Sequence, residues 1–163
     1  MSIPHEGVES LYERLGPVLL AYARSLVCDR AEAEDALQQV FLKLMTLESE
    51  SWPRDPRPYL FRAVRNTCLN RRRSTAREAV RVEAASAPLF TAPNGLHGLV
   101  PDLERALGDL PEEQREVVIL RVWGEMTLEA AADVLGIPAN TAASRYRYAL
   151  TRLRQHFGAT VRS

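Results

Sequence analysis

Two clusters of arginine carry the most specific chemistry in the chain. The first is C-terminal. From Val134 to Ser163 there is no acidic residue, and Arg145, Arg147, Arg152, Arg154 and Arg162 fall in that span. A guanidinium is planar, always charged, and presents a fork of donors that matches phosphate oxygens and the guanine edge. The second cluster runs from Pro56 to Ala76, where six arginines (Arg57, Arg62, Arg65, Arg71, Arg72, Arg73) occur without an acid. Asn66 and Asn70 are interleaved with them, and Trp52 precedes them. Arginines that track phosphates beside an aromatic that stacks on bases suit single-stranded nucleic acid. A tryptophan that closes a core, with arginines that merely solubilise, fits the same composition equally well.

The elements that must position the first cluster read as a helix-turn-helix. Thr127 can cap a short apolar helix, because its hydroxyl accepts from a free first-turn N–H. Leu128, Ala131, Val134 and Leu135 lie on one side of that helix. Gly136, Ile137 and Pro138 stop it, since glycine tolerates a left-handed turn and proline cannot continue a helix. Asn140 or Thr141 is expected to cap a longer second helix. Ala132 and Gly136, small and one turn apart, would let the two helices cross closely. A basic second helix behind a tight turn is what docking in a DNA major groove requires. Its first two turns present Thr141, Ser144, Arg145 and Tyr148. Arg145 is the long donor among them and the expected base reader. Arg147 and Arg152 are expected on phosphates.

The second cluster needs a different scaffold. Val8, Leu11, Tyr12, Leu15, Leu19, Tyr22 and Leu26 follow helical spacing. Gly16-Pro17 interrupts them, so a kink or two short helices are expected. Asp29 can cap the next helix, in which Ala33, Ala36, Leu37, Val40, Phe41, Leu44 and Leu47 form one stripe. Glu32, Glu34, Asp35, Gln38, Gln39 and Lys43 lie off it. A loop from Glu48 to Pro58 carries Trp52 and three prolines. A helix over about Arg57–Arg73 follows, with Leu60, Val64, Thr67 and Cys68 inward. Ser74 to Val100 is rich in Ala, Pro, Ser and Thr with little periodicity, and reads as a linker. Beyond it, Leu103, Ala106, Leu107 and Leu110 make a short helix. Another begins at Asp109-Leu110-Pro111, with proline in the first turn and Glu112, Glu113 and Glu116 favouring its N-terminus. Val117, Val118, Leu120 and Trp123 supply its core, and Gly124 ends it. The expected fold is all-α: two small helical modules, 8–73 and 101–157, joined by a flexible linker, 74–100.

Several function classes are excluded. His5, His97 and His156 are scattered, and no nucleophile motif or glycine-rich phosphate loop occurs. Cys28 and Cys68 form no CxxC and join no histidine, so no metal or cofactor is indicated and buried reduced thiols are expected. No apolar run approaches about 18 residues and no signal peptide precedes the first helix, which suits a cytoplasmic protein. The 46% apolar content is enough for a buried core. Formal net charge is zero, but the charges are segregated: six acids stand against Arg30 and Lys43 between Asp29 and Glu50. Separate surfaces for separate partners follow.

Two blocks resemble a known family. Ala33-Glu-Asp-Ala-Leu-Gln-Gln-Val-Phe41, followed by Tyr59-Leu-Phe-Arg-Ala-Val-Arg-Asn66 and the arginines to Arg73, is similar to region 2 of the sigma-70 family. Leu110-Pro-Glu-Glu-Gln-Arg-Glu-Val-Val-Ile-Leu120, continued through Leu135-Gly-Ile-Pro138 and Thr141 to Arg154, is similar to region 4. In this order and in so short a chain, they resemble the extracytoplasmic-function group of bacterial sigma factors. The resemblance implies that Asp35, Gln38 and Gln39 dock on RNA polymerase core, with its β′ and β subunits as partners. It implies that Trp52, Arg62, Arg65, Asn66, Asn70 and Arg73 hold the melted −10 element of promoter DNA. It further implies that Thr141, Ser144, Arg145, Arg147, Tyr148 and Arg152 meet the −35 element. No catalysis, small-molecule substrate or membrane insertion belongs to such a factor, and the resemblance adds an anti-sigma protein as a further partner. The chain departs from the pattern at Asn70, Ala130, Ala131, Ala142, Ala143, Tyr148 and Leu150. A helix-turn-helix regulator that never meets polymerase, or an all-helical adaptor, would share parts of the pattern.

Overall fold

The computed structural model describes the backbone of residues 5–27, 29–76 and 100–162, with side chains over 7–27, 29–74 and 101–158. Cys28 and most of the expected linker, 77–99, lie outside the described residues. Among those described there are seven α-helices and no strand. The chain divides into two compact units, Met1–Ala87 and Pro88–Ser163.

The N-terminal unit is three helices packed on one another: α1 (His5–Val27), α2 (Arg30–Met45) and α3 (Pro56–Ala76). Helix α1 runs unbroken through Pro17, where a kink or a break was expected. Pro17 has no N–H for the Glu13 carbonyl. Both residues face solvent, so water can reach that carbonyl and the helix continues. Of its apolar stripe only Tyr12 is exposed, and its ring meets Phe41 edge-on at 5.0 Å. Asp29 caps α2 by accepting from the Ala31 N–H at 2.8 Å. The expected stripe from Ala33 to Leu44 is buried; Leu47 lies beyond the helix end and is half-buried. Asp55 accepts from the Arg57 N–H at 3.2 Å, and Pro56 takes the first helical position of α3, where a missing N–H breaks no helical bond. Leu60, Val64 and Cys68 are fully buried as expected. Phe61 is too, tilted against Tyr22 with centroids 5.6 Å apart.

The C-terminal unit is built on α7 (Ala139–Arg162), against which α4 (Val100–Asp109), α5 (Glu112–Val118) and α6 (Leu128–Leu135) pack. Pro111 sits one position before α5, and its carbonyl accepts from Gln114 and Arg115. Glu112 and Glu113 stand in the first turn, but Glu116 is buried and is no surface complement to the helix terminus. Arg115 is buried as well, and its Nη1 donates to the Gly108 carbonyl at 3.4 Å, tying α5 to the end of α4.

Helix α5 does not simply end at Gly124. It widens into a π turn over Ile119–Trp123, closed by Gly124 N–H to the Ile119 carbonyl at 2.9 Å. A Cβ on Gly124 would lie 2.5 Å from the Leu120 carbonyl oxygen, so only glycine fits. Thr127 then caps α6, its hydroxyl accepting from Ala130 at 3.1 Å. Gly136 ends α6 in the left-handed region, φ 66°. Its role is conformational alone: an added Cβ would meet nothing within 4 Å, so it does not serve a close helix crossing. Ala132 and Ala142 are buried instead. The carbonyl of Pro138 starts α7 by accepting from Thr141 and Ala142, which leaves Asn140 and Thr141 inside the first turn rather than at the cap.

Candidate interfaces for partner protein and nucleic acid

On α2 the buried stripe fixes which residues face outward. Asp35, Gln38 and Gln39 are all exposed. Leu42 sits among them: at 100° per residue the four fall within an arc of about 100°. Leu42 is 63% exposed, the most of any large apolar side chain described. Nothing in the stripe pattern marked it, although an apolar residue off the stripe is itself a signal. Gln39 is not isolated, for its Oε1 accepts from Arg71 Nη2 of α3 at 3.3 Å. The face is therefore polar, with one apolar knob and one tie to the arginine helix.

On α3, Arg62, Asn66, Asn70 and Arg73 are exposed and Arg65 is half-buried. These five share an outward arc of about 140° at the helical period. Arg71 lies on the opposite side, above the core and toward α2. The arginine cluster of the sequence thus splits into one grip face and one inter-helix tie. Trp52 follows a 3₁₀ turn, Ser49–Ser51, and is half-buried, so part of the indole remains open to a stacking partner. Cys68, on the core side of α3, is a free, fully buried thiol. Burial pushes its pKa up to about 11, against the pull of Arg71.

On α7 the inward direction is set by Ala142 and Ala149, both fully buried. Arg147, Tyr148 and Arg152 are exposed, while Thr141, Ser144 and Arg145 are half-covered. Arg145 turns toward α5: its Nη2 lies 3.8 Å from Glu113 Oε2, and its side chain is 26% exposed. The Arg147 guanidinium carbon sits over the Tyr148 ring, 5.6 Å from the centroid.

Comparison with known proteins assigns both units. Sigma-70 region 2 matches residues 11–78, and Sigma-70, region 4 matches residues 106–155. The extracytoplasmic-function sigma factor SigL of Mycobacterium tuberculosis is 31% identical, over 94% of this chain and 92% of that protein. The chain belongs to the extracytoplasmic-function sigma factors of the sigma-70 family. The RNA polymerase sigma-E factor of Streptomyces avermitilis is 33% identical, over 84% of this sigma factor and 77% of its own length. Among solved structures, the sigma factor RpoE of Bartonella quintana, in complex with the anti-sigma factor NepR, aligns with a TM-score of 0.73. That match is 29% identical and covers 94% of this chain and 97% of that one.

Each residue that the sequence nominates in this sigma factor is exposed or half-buried, so none is consumed by the core. Side-chain partnerships escaped sequence reasoning. Glu113 entered it only as a complement to a helix terminus, yet its Oε2 lies 3.8 Å from Arg145 Nη2. Arg71 was one arginine of a run, yet it reaches α2. No helix among the described residues is long and apolar enough to cross a membrane.

Proposed function

We propose that this sigma factor binds RNA polymerase core in the cytoplasm, directs it to promoters and starts transcription there, with no catalytic step of its own. In this reading the working modules are 8–73 and 101–157, joined by 74–100. Asp35, Gln38 and Gln39 dock on core. Trp52, Arg62, Arg65, Asn66, Asn70 and Arg73 hold the melted −10 strand. Thr141, Ser144, Arg145, Arg147, Tyr148 and Arg152 face the −35 duplex.

One observation carries the reading: each family region coincides with its own helical unit, and each unit turns an arginine-bearing face outward. Arginine faces neutralise phosphates and release counterions, while the polar α2 face suits a protein partner. The likeness to RpoE, solved with NepR, supports an anti-sigma protein as a further partner.

Reconstitution with core polymerase on promoter templates tests the proposal. Run-off transcripts that need both this chain and a specific upstream sequence are expected. Sequence-specific binding to duplex DNA without core, and no promoter-dependent run-off, would replace it with a regulator that acts apart from polymerase.

A further inference from the structure

We propose that Arg147, backed by Tyr148, is the base-reading arginine of α7, and that Arg145 is a positioning residue. This rests on the promoter-binding reading above and deepens it. Of the arginines in the first half of α7, sequence position favours Arg145, because it lies nearer the helix N-terminus. The packing favours Arg147. Measured from the Ala142–Ala149 direction at 100° per residue, Arg145 lies only about 50° round the helix and Arg147 about 150°. Arg145 therefore flanks the core, and its Nη2 lies 3.8 Å from the exposed Glu113 carboxylate of α5, a loose surface ion pair. To reach a base edge it would have to swing across the helix flank.

Arg147 has neither constraint. It is exposed, as are Asn140 and Thr151 on the same outward side. Helical side chains lean toward the N-terminus, so its guanidinium covers the turn before its own Cα, at the level of Ala143 and Ser144. That brings it back to the part of the helix that meets bases. Its guanidinium already lies over the Tyr148 ring. Stacking on an aromatic face restricts the rotamers of a long side chain before DNA arrives, and leaves the fork edge free for hydrogen bonds. A guanine offers O6 and N7 to such a fork. Tyr148 is 56% exposed, so ring surface beyond the arginine contact is left for a thymine methyl. The ligand class is thus a G·C pair in the −35 major groove, read by a stacked arginine. Arg145, on the flank beside α5, instead acts by positioning.

The test uses holoenzyme and a −35 library randomised one position at a time, with affinity measured at several salt concentrations. Arg147→Ala is expected to remove about 5- to 150-fold of preference for guanine at one position, while the least favoured sequences change little. Tyr148→Leu is expected to reduce that same preference, and Tyr148→Phe to keep it. Arg145→Ala and Glu113→Gln are expected to weaken every −35 variant by a common factor and to leave the order of preference intact. Uniform weakening by Arg147→Ala, with the salt slope lowered by about one ion, would make it a phosphate contact and overturn the proposal. Loss of preference on Arg145→Ala alone would overturn it in favour of Arg145. Wild-type holoenzyme with no sequence preference at all would overturn the function reading itself, and this assignment with it.

Discussion

At Cys68 the side chain is sealed among the N-terminal helices, and its pKa rises from 9.0 to about 11 because the thiolate would lose its hydration. The thiolate is the reactive form, so this cysteine is shielded twice, by access and by protonation. At pH 8 an alkylating reagent is expected to modify Cys68 far more slowly in the native protein than in urea. Equal rates would refute the burial. The raised pKa also sets a pH dependence. Below pH 9.0 the thiol is neutral in both folded and unfolded chains, and its contribution is fully present. Between 9.0 and about 11 only the unfolded chain ionises, so up to about 2–3 kcal/mol of stability is lost as pH rises through the folded pKa. Cys68→Ala should flatten that alkaline limb of a denaturation series, at the expense of a small cavity. Gly124 is constrained in another way. The atom an added Cβ would strike is a backbone carbonyl oxygen, which no rotamer can move aside. Gly124→Ala is expected to destabilise the C-terminal unit by about 1–3 kcal/mol, read as a lower melting temperature. An unchanged melting point would mean that the π turn relaxes without strain.

Among the elements, α2 does the most with the least sequence. One face is six buried side chains, and the other is a short polar row with Leu42 standing out of it. A solvent-facing leucine adds little to folding, and surface changes of this kind usually stay within about 0.5 kcal/mol. In a protein interface the same side chain becomes an anchor once water is excluded around it. Leu42→Ala is therefore expected to leave the melting temperature nearly unchanged while weakening core polymerase binding by more than about 1 kcal/mol, roughly fivefold. Asp35→Arg should act in the same direction through charge. A core titration that both variants pass undiminished would place the docking face elsewhere. The Arg71–Gln39 bond links this face to α3. Both groups are in contact with solvent, so the bond orients more than it stabilises.

For the molecule as a whole, two separate cores decide what can stand alone. The N-terminal unit buries Leu19, Tyr22, Leu44, Leu60, Phe61 and Val64 among three helices of its own. The C-terminal unit buries Leu107, Val117, Ile119 and Leu120 with α7 as the common support. Domains this small bury only about 60% of the surface that their unfolded chains expose, so each is marginal but viable. Residues 1–87 produced alone are expected to keep helical circular dichroism and to melt cooperatively. A non-cooperative melt would show that this core is too small to hold itself. Charge obeys the same division. A formal net charge of zero conceals arginine faces on both units, and net charge alone would have argued against nucleic acid.

What the amino-acid order determined by itself was whatever is settled within a turn or two of helix. Asp29, Thr127 and Gly136 act through their own backbone neighbours, so these caps and this stop were legible, whereas the start of α7, expected at Asn140 or Thr141, was not. The α2 stripe was legible because hydrophobic period and helical period coincide over about three turns, from Ala33 to Leu44. The arginine clusters, and with them the family likeness, were legible because they are local patterns of residue type. Tertiary structure decided the rest. Pro17 leaves α1 intact where it and Glu13 both lie on the exposed side of the helix. Whether an arginine points at a ligand or at another helix depends on its direction relative to a buried face and on partners far away in sequence. Arg71 with Gln39 and Arg145 with Glu113 are such pairs, each 32 residues apart, and no spacing rule within one helix could have joined them.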